Sequence, residues 1–267
     1  MKAEIIGQFA DIKADKIVVG FPGPGLIGLI AAKHIAYDLD LNVMGYLRSP
    51  LIPPQSSFID AILAYPYSLY GNEDESIAVI VGQYPLIDIA NYYFADAILD
   101  FAEKQRCKDI IILDGFSFEE NVLKNPNSVY LIAEPDVWKK EKKLAELKNA
   151  IALNPDNEGE IDRISGYIGG VAGALLNESI IRPIDGYALL APCERSKVQE
   201  PNPAGAAAII KAINELINLE IDVKGLFNLG KRLARKFDSL AQKTHESQTN
   251  STSLSSQYEK RKNQLYQ

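Results

Sequence analysis

The stretch from Ile17 to Lys33 constrains the fold more than any other part of the chain. It opens on a short apolar and β-branched run, Ile17 to Phe21, which is typical of a buried strand. Pro22 to Gly25 cannot continue that strand, and from Leu26 onward apolar residues recur at helical spacing. The stretch therefore predicts a strand, a tight glycine turn and a helix, which together make the first unit of an α/β sheet.

The turn Gly23–Gly28 also spells G-x-G-x-x-G, the pattern of dinucleotide-binding loops. Such a loop needs an acidic residue about 20 residues further on to hold the ribose. The predicted second strand, Val43 to Leu47, is followed by Arg48, and no Asp or Glu lies at its end. Arg48 could suit a 2′-phosphate, but Pro24 stiffens the loop and removes an N–H donor. We therefore interpret the glycines as packing residues and expect no bound nucleotide and no cofactor.

Length and composition describe an ordinary globular protein. The 267 residues can bury a sizeable core, as one α/β domain or as one domain with an appendage. No apolar run approaches the 18 to 20 residues that would span a membrane, and the first residues lack the apolar core of a signal peptide. Cys107 and Cys193 are far apart, so we expect no disulfide framework and a reducing, cytoplasmic location.

Charge divides the chain into two parts. The net charge of −7 is the sum of −12 over residues 1–225 and +5 over residues 226–267. An acidic body is unsuited to gripping nucleic acid, so no nucleic-acid partner is expected. The basic end is expected to have a separate task.

Strand-like and helical patterns alternate along residues 1–225. This alternation predicts one α/β domain with a mixed, largely parallel sheet flanked by helices on both faces. The predicted strands are Ile5 to Phe9, Ile17 to Phe21, Val43 to Leu47, Phe58 to Tyr65, Tyr67 to Tyr70, Ile77 to Val81, Asp109 to Asp114, Val129 to Ala133, Ile161 to Ile164 and Gly186 to Ala191. The predicted helices begin at Leu26, after an Asp88 N-cap, at Pro135 (to about Ala150), at Gly166 and at Pro203.

The basic end contains a predicted amphipathic helix and a flexible tail. Between 226 and 246, Leu226, Leu229, Leu233, Phe237 and Leu240 form a narrow apolar stripe among Lys and Arg residues. This helix is expected to dock on the body or on a second copy, and membrane binding is not expected because the stripe is short and has no Trp. Residues 247–267 are rich in Ser, Thr, Asn and Gln and read as a flexible tail.

The chain offers little reaction chemistry. His34 lies on the first helix, where a structural role is expected, and His245 lies near the start of the tail. No spacing typical of a metal site occurs, and Gly115 to Glu119 only begins like a nucleophile elbow. Asp114 and Ser117 are predicted to lie just past a strand end, where α/β sheets bind ligands. We expect no catalytic residue and no metal ligand, and hence not an enzyme.

Four segments resemble the PAC2 family, the archaeal and bacterial relatives of eukaryotic proteasome-assembly chaperone 2. These are Phe21–Gly28, Ser49–Ser56, Gly166–Gly173 and Asn202–Ile210, within a match that covers roughly residues 1–225. The resemblance implies a fold like that of nucleoside phosphorylases without an established catalytic set. It also implies a proteasome-assembly role and a homo-oligomer, such as a tetramer or pentamer. The candidate contact surfaces of that homo-oligomer are the apolar stripe Leu226 to Leu240 and the glycine-rich helix that begins at Gly166.

The resemblance also predicts a function for the last three residues. Leu265, Tyr266 and Gln267 match the hydrophobic-Tyr-any-residue docking motif of proteasome activators. The resemblance implies that this motif binds between α-subunits of the 20S proteasome ring. Two alternatives stay open: an enzyme or binding protein for a nucleoside-like molecule, and an assembly chaperone that does not use its tail.

Overall fold

A computed structural model describes residues 2–7, 14–52, 54, 56–59, 61–72, 76–118, 128–155, 166–226 and 228. Within these ranges the strands are β1 Glu4–Gly7, β2 Lys16–Gly20, β3 Asn42–Arg48, β4 Ser57–Ile59, β5 Ile62–Ala64, β6 Tyr67–Gly71, β7 Ile77–Gly82, β8 Asp109–Phe118, β9 Val129–Ala133, β10 Ala150–Ala152 and β11 Asp185–Glu194. The helices are α1 Ile27–Asp38, α2 Asp88–Gln105, α3 Pro135–Lys140, α4 Gly170–Ile181 and α5 Pro203–Ile217.

Nine of the described strands form one mixed sheet. Its order is β1-β3-β6-β7-β2-β8-β11-β9-β10, while β4 and β5 pair separately as a hairpin. The central pairs β7–β2, β2–β8 and β8–β11 are parallel, as is β9–β10 at one edge. The remaining pairs, β1–β3, β3–β6, β6–β7 and β11–β9, are antiparallel. The mixed α/β fold predicted from the alternation is confirmed, with parallel pairing concentrated at the centre.

Helices cover both faces of the sheet, so alternate strand residues enter two different cores. On β2, Val18 lies in the core beneath α1 and α5, whereas Ile17 and Val19 lie in the core beneath α2 and α4. This two-sided burial explains why the central strands are continuous apolar runs. Leu226 is fully buried in the core on the α1–α5 side.

Two predicted strands differ from the structure. The predicted strand Phe58 to Tyr65 is wrong, because Ala61 has a positive φ of 64° and the chain reverses into the β4–β5 hairpin. The strand predicted to stop before Gly115 instead continues to Phe118, with Gly115 opposite Ala191. Gly115 is a site of close approach rather than a turn, because a Cβ atom there would collide with the carbonyl oxygen of Pro24.

Three helix boundaries also differ. The helix predicted from Pro135 to about Ala150 ends at Lys140, and the chain goes on into a short 3-10 turn and β10. Residues 139–143 carry no apolar side chain, so nothing would hold that turn of a longer helix onto the body. Ile87, not Asp88, is the N-cap of α2, and Asp88 lies in its first turn. The helix predicted from Gly166 begins at Gly170.

Some predictions fall on other parts of the chain. The predicted strand Ile161 to Ile164 lies outside the described residues, as do the tail 247–267 and the predicted helix 226–246 beyond its first residues. The boundary at residue 225 stays a prediction. In the described ranges, no helix combines the length and the apolar character that crossing a bilayer requires.

Candidate functional site

The glycine turn after β2 is tied to the start of α5. Gly25 has a positive φ of 65°. Its N–H donates to the carbonyl oxygen of Val198 at 2.9 Å, and its own carbonyl accepts from Asn202 N at 2.8 Å. The Asn202 side chain then caps α5 by accepting from Gly205 N at 2.9 Å. The backbone N–H and carbonyl of Gly25 are thus both hydrogen-bonded within the protein, at the carboxyl ends of the central strands.

The glycines of this region have packing roles. A Cβ atom at Gly28 would collide with the carbonyl oxygen of Leu113, and one at Gly20 would collide with that of Gly28. A Cβ atom at Gly23 would collide with the carboxyl group of Asp114. These contacts support the interpretation of the G-x-G-x-x-G pattern as a device for close helix-on-strand packing.

Asp114 is buried below the glycine turn. It lies inside β8 and not beyond the end of a strand as predicted, and its Oδ1 accepts from Gly115 N at 2.8 Å. Burial raises the pKa of the Asp114 carboxyl from 3.8 to about 7, although that hydrogen bond acts in the opposite direction. Ser117 is exposed on the same strand, and an odd separation places it on the other face. The structure therefore does not bring the two predicted residues together.

His34 has a structural position, as the sequence predicts. It is buried, and its Nε2 lies 2.5 Å from the carbonyl oxygen of Asp222, to which it donates. Asp38, one turn later on α1, accepts from Asp222 N at 3.3 Å. Asn214 on α5 holds the preceding residue in the same way, because its Nδ2 donates to Ile221 O and its Oδ1 accepts from Ile221 N. The chain leading to Leu226 is thus fastened to α1 and α5.

An exposed apolar surface lies on the opposite side of the sheet. We call it the α2–α4 face and define it by Ile89 and Tyr92 of α2 with Ile180 and Ile181 of α4, each at least half exposed. The side chain of Asn177 donates to the Tyr92 hydroxyl at 3.1 Å, which sets the two helices side by side. The sequence already offered the glycine-rich helix as a contact surface, but it gave no sign that Ile180, Ile181 and Tyr92 form the exposed part.

An acidic cluster borders the α2–α4 face. Arg182, just after α4, contacts Asp96 at 2.8 Å, Asp100 at 2.7 Å and Glu103 at 3.4 Å, all on α2. Glu178 lies 3.9 Å from the same guanidinium. Four carboxylates around one guanidinium leave this cluster with a formal charge of −3.

The glycines before α4 are explained only in part. Gly170 has a positive φ of 62°, and a Cβ atom at Gly173 would collide with the carbonyl oxygen of Ile168. Gly166 and Gly169 have open space where a Cβ atom would be, and Tyr167 between them is fully exposed. The described fold therefore gives no packing reason for a glycine at 166 or 169.

The predicted docking residues Leu265, Tyr266 and Gln267 lie outside the described residues, as does His245. Across the ranges that the structure describes, no group of three or more His, Cys, Asp or Glu residues could hold a metal ion. Cys107 and Cys193 are both free and buried. Burial raises the pKa of the Cys107 thiol to about 11, and it also raises the pKa of the Cys193 thiol.

The architecture is that of a helix-flanked mixed α/β domain. The family model of the PAC2 family matches residues 17–241, and the chain belongs to that family. It is 25% identical over 229 residues to an uncharacterized protein of Methanocaldococcus jannaschii, which covers 85% of each chain.

Two solved structures from Pyrococcus furiosus share the fold. PbaA, an archaeal homolog of proteasome-assembly chaperone, is 22% identical with a TM-score of 0.71 over 91% of this chain and 99% of that one. PbaB, an archaeal proteasome activator, is 22% identical with a TM-score of 0.68 over 90% and 99% of the two chains. The family predicted from the sequence motifs is thus confirmed, and the mixed α/β fold is shared with these two structures. The likeness to nucleoside phosphorylases stays a prediction.

Proposed function

We propose that this protein binds the 20S proteasome as an assembly chaperone or activator. In this proposal Leu265, Tyr266 and the carboxylate of Gln267 dock on the α-ring of the proteasome. The observation that carries the proposal is the Leu-Tyr-Gln sequence after a polar tether, on a chain of the PAC2 family. Its fold relatives PbaA and PbaB, described as an assembly-chaperone homolog and as a proteasome activator, add support.

The chemistry of the three residues suits a pocket between two subunits. Tyr266 presents a large rigid apolar face with one hydroxyl, and Leu265 fills an apolar niche beside it. The carboxylate of Gln267 pairs with a lysine of the proteasome. A single tail binds weakly, because three residues bury little surface and a flexible segment loses freedom when it docks.

Several tails from one homo-oligomer would act together. If residues 247–264 behave as a flexible coil, these 18 residues place their end about 21–25 Å from its origin. That reach lets several tails find several pockets around a ring, and the effective concentration raises avidity by about 10² to 10⁴. Lys260, Arg261 and Lys262 steer the tail toward an acidic surface, with an effect that weakens as salt rises.

Binding, rather than catalysis, is the activity that we assign. The glycine turn, Asn202 and Asp114 are used for packing at the edge where α/β enzymes bind ligands. Two buried thiols with raised pKa values suit a reducing compartment, and we place the protein in the cytoplasm.

The proposal is tested with Tyr266→Ala in the full chain. We expect this variant to lose binding to purified 20S proteasome in a co-sedimentation assay, because it removes the aromatic anchor and leaves the body unchanged. The matched control is Tyr258→Ala, which removes a tyrosine eight residues earlier in the same tail and keeps binding. Equal co-sedimentation of Tyr266→Ala and the unmodified chain would show that the tail is not the docking element.

A further inference from the structure

We infer that the α2–α4 face of one copy is covered by the basic amphipathic segment 229–246 of a neighbouring copy. This inference rests on the homo-oligomer of the proposed function and names the surfaces that build it. It joins a surface that the structure leaves exposed to a segment whose pattern matches that surface in both apolarity and charge.

The apolar parts of the two surfaces match. On α4, residues 177, 180 and 181 share one outward stripe, in which Ile181 is 76% exposed. Ile89 and Tyr92 lie one turn apart on the neighbouring helix. In the segment, Leu229, Leu233, Phe237 and Leu240 recur at helical spacing and form a stripe of similar width. A helix laid over the α2–α4 face would bury the apolar side chains of both surfaces.

The charges also match. The cluster around Arg182 carries a formal charge of −3 and lies at the end of the α2–α4 face. The segment carries Lys231, Arg232, Arg235 and Lys236 beside its apolar stripe. Contacts between these groups fix the direction in which the segment lies, and they speed its association at low salt.

The position of Leu226 favours a segment that comes from another copy. Leu226 is buried on the α1–α5 side, whereas α2 and α4 pack on the opposite face of the sheet. The hydrogen bonds of His34 and Asn214 hold the preceding residues on that side. If the segment continued from Leu226 as one straight helix of about 20 residues, it would extend about 30 Å and could not bend around the sheet to the α2–α4 face of its own copy.

Such a contact joins two different surfaces and is therefore head-to-tail. Head-to-tail contacts close into rings when the rotation between copies allows it. In a ring of this kind, each segment would contact the neighbouring copy up to about residue 246. Residues 247–267 of every copy would remain free to reach the proteasome. The proposed docking by several tails needs that arrangement.

The contact is tested by disulfide trapping between separately tagged full-length copies. One copy carries Ile181→Cys and the other carries Leu233→Cys, and the mixture is oxidised mildly and separated without reductant. We expect a cross-linked pair containing one copy of each kind. The native thiols stay silent because both are buried with raised pKa values. The matched control replaces Ile181→Cys by Leu63→Cys, on a hairpin residue that is 78% exposed, and should give at least tenfold less product.

Equal trapping by Leu63→Cys and Ile181→Cys would overturn the inference. So would a disulfide that forms only within single copies of an Ile181→Cys/Leu233→Cys double variant.

A further test reverses Lys231 and Arg235 to Glu, which we expect to weaken the oligomer at least tenfold in sedimentation equilibrium. Reversing Lys260 and Arg261 changes the same charge in the tail and should leave the oligomer intact.

Proteasome binding separates this inference from the proposed function. If trapping fails while Tyr266→Ala still loses binding to the 20S particle, the segment contact is wrong and the docking proposal stands. If trapping succeeds while Tyr266→Ala binds normally, the oligomer contact stands without the docking proposal. If Ile181→Glu abolishes proteasome binding and leaves the oligomer unchanged, the α2–α4 face contacts the proteasome, and the inference is wrong.

Discussion

At pH 8, Asp114→Asn should be more stable than the unmodified chain. Asp114 is buried under the glycine turn, and burial raises its pKa in the folded state from 3.8 to about 7. At pH 8 the folded protein must therefore hold a carboxylate in an apolar site. Asparagine keeps the shape and the oxygen that accepts from Gly115 N, and it carries no charge.

The pH dependence of this effect has a definite sign. Between about pH 4 and pH 7 the folded state holds a proton on Asp114 that the unfolded state has released. The free energy of unfolding contributed by this group therefore falls as the pH rises through that window and is constant above it. A pKa difference of about three corresponds to at most about 4 kcal/mol.

Urea unfolding of both proteins at pH 5 and pH 8 measures this difference. We expect the advantage of Asp114→Asn at pH 5 to be less than half of its value at pH 8, where it approaches a few kcal/mol. The control is Asp136→Asn on α3, where Lys139 lowers the pKa of an exposed carboxyl. That change should give no advantage at pH 8. A lower stability of Asp114→Asn at both pH values would contradict a neutral buried carboxyl.

Gly28→Ala should destabilise the protein strongly although it adds one methyl group. Gly28 is the second residue of α1 and faces the backbone of β8, and its Cβ atom would collide with the carbonyl oxygen of Leu113. Backbone of a central strand cannot move aside without disturbing its ladders to β2 and β11. Overpacking of this kind costs about 1–3 kcal/mol or more, even though alanine favours a helix.

The chain offers a matched control for this substitution. Gly166 has open space around it and no positive φ, so Gly166→Ala should be neutral or stabilise by about 0.4–1 kcal/mol. Thermal unfolding of the two variants side by side measures both effects. If the two changes shift the melting temperature equally, close packing does not require glycine at position 28.

The strongest sequence signals predicted the centre of the fold. The run Ile17 to Phe21 and the glycine turn that follows predicted a buried strand and the start of a helix. Both signals lie in a few neighbouring residues, because a strand buried on both faces is a continuous apolar run and glycine marks the turn. The prediction was wrong at Gly115, where glycine serves a contact with Pro24 that lies far away in sequence. It was also wrong after Lys140, where the chain leaves the helix and places Leu144 and Leu147 in the core.

The candidate surfaces were predictable to different degrees. Leu265, Tyr266 and Gln267 are a linear motif, so sequence alone proposes them. The α2–α4 face required the structure, since only the packing shows which isoleucines of α4 point away from the sheet. Leu175 is the last apolar residue that α4 buries, and Ile180 and Ile181 lie beyond it at the end of the helix. The cluster around Arg182 depends on contacts between residues about 80 positions apart, which no local pattern reveals.

The proposed role of the Gln267 carboxylate offers the most direct test of the proteasome-docking claim. We would compare the full chain with a chain that carries one glycine appended after Gln267, and measure co-sedimentation of each with purified 20S proteasome. The added residue preserves Leu265, Tyr266, the body and the proposed oligomer, and it moves the carboxylate away from the proteasome lysine that we propose as its partner. We expect the extended chain to lose binding while its sedimentation mass stays unchanged. Undiminished binding by the extended chain would contradict docking through the carboxyl end.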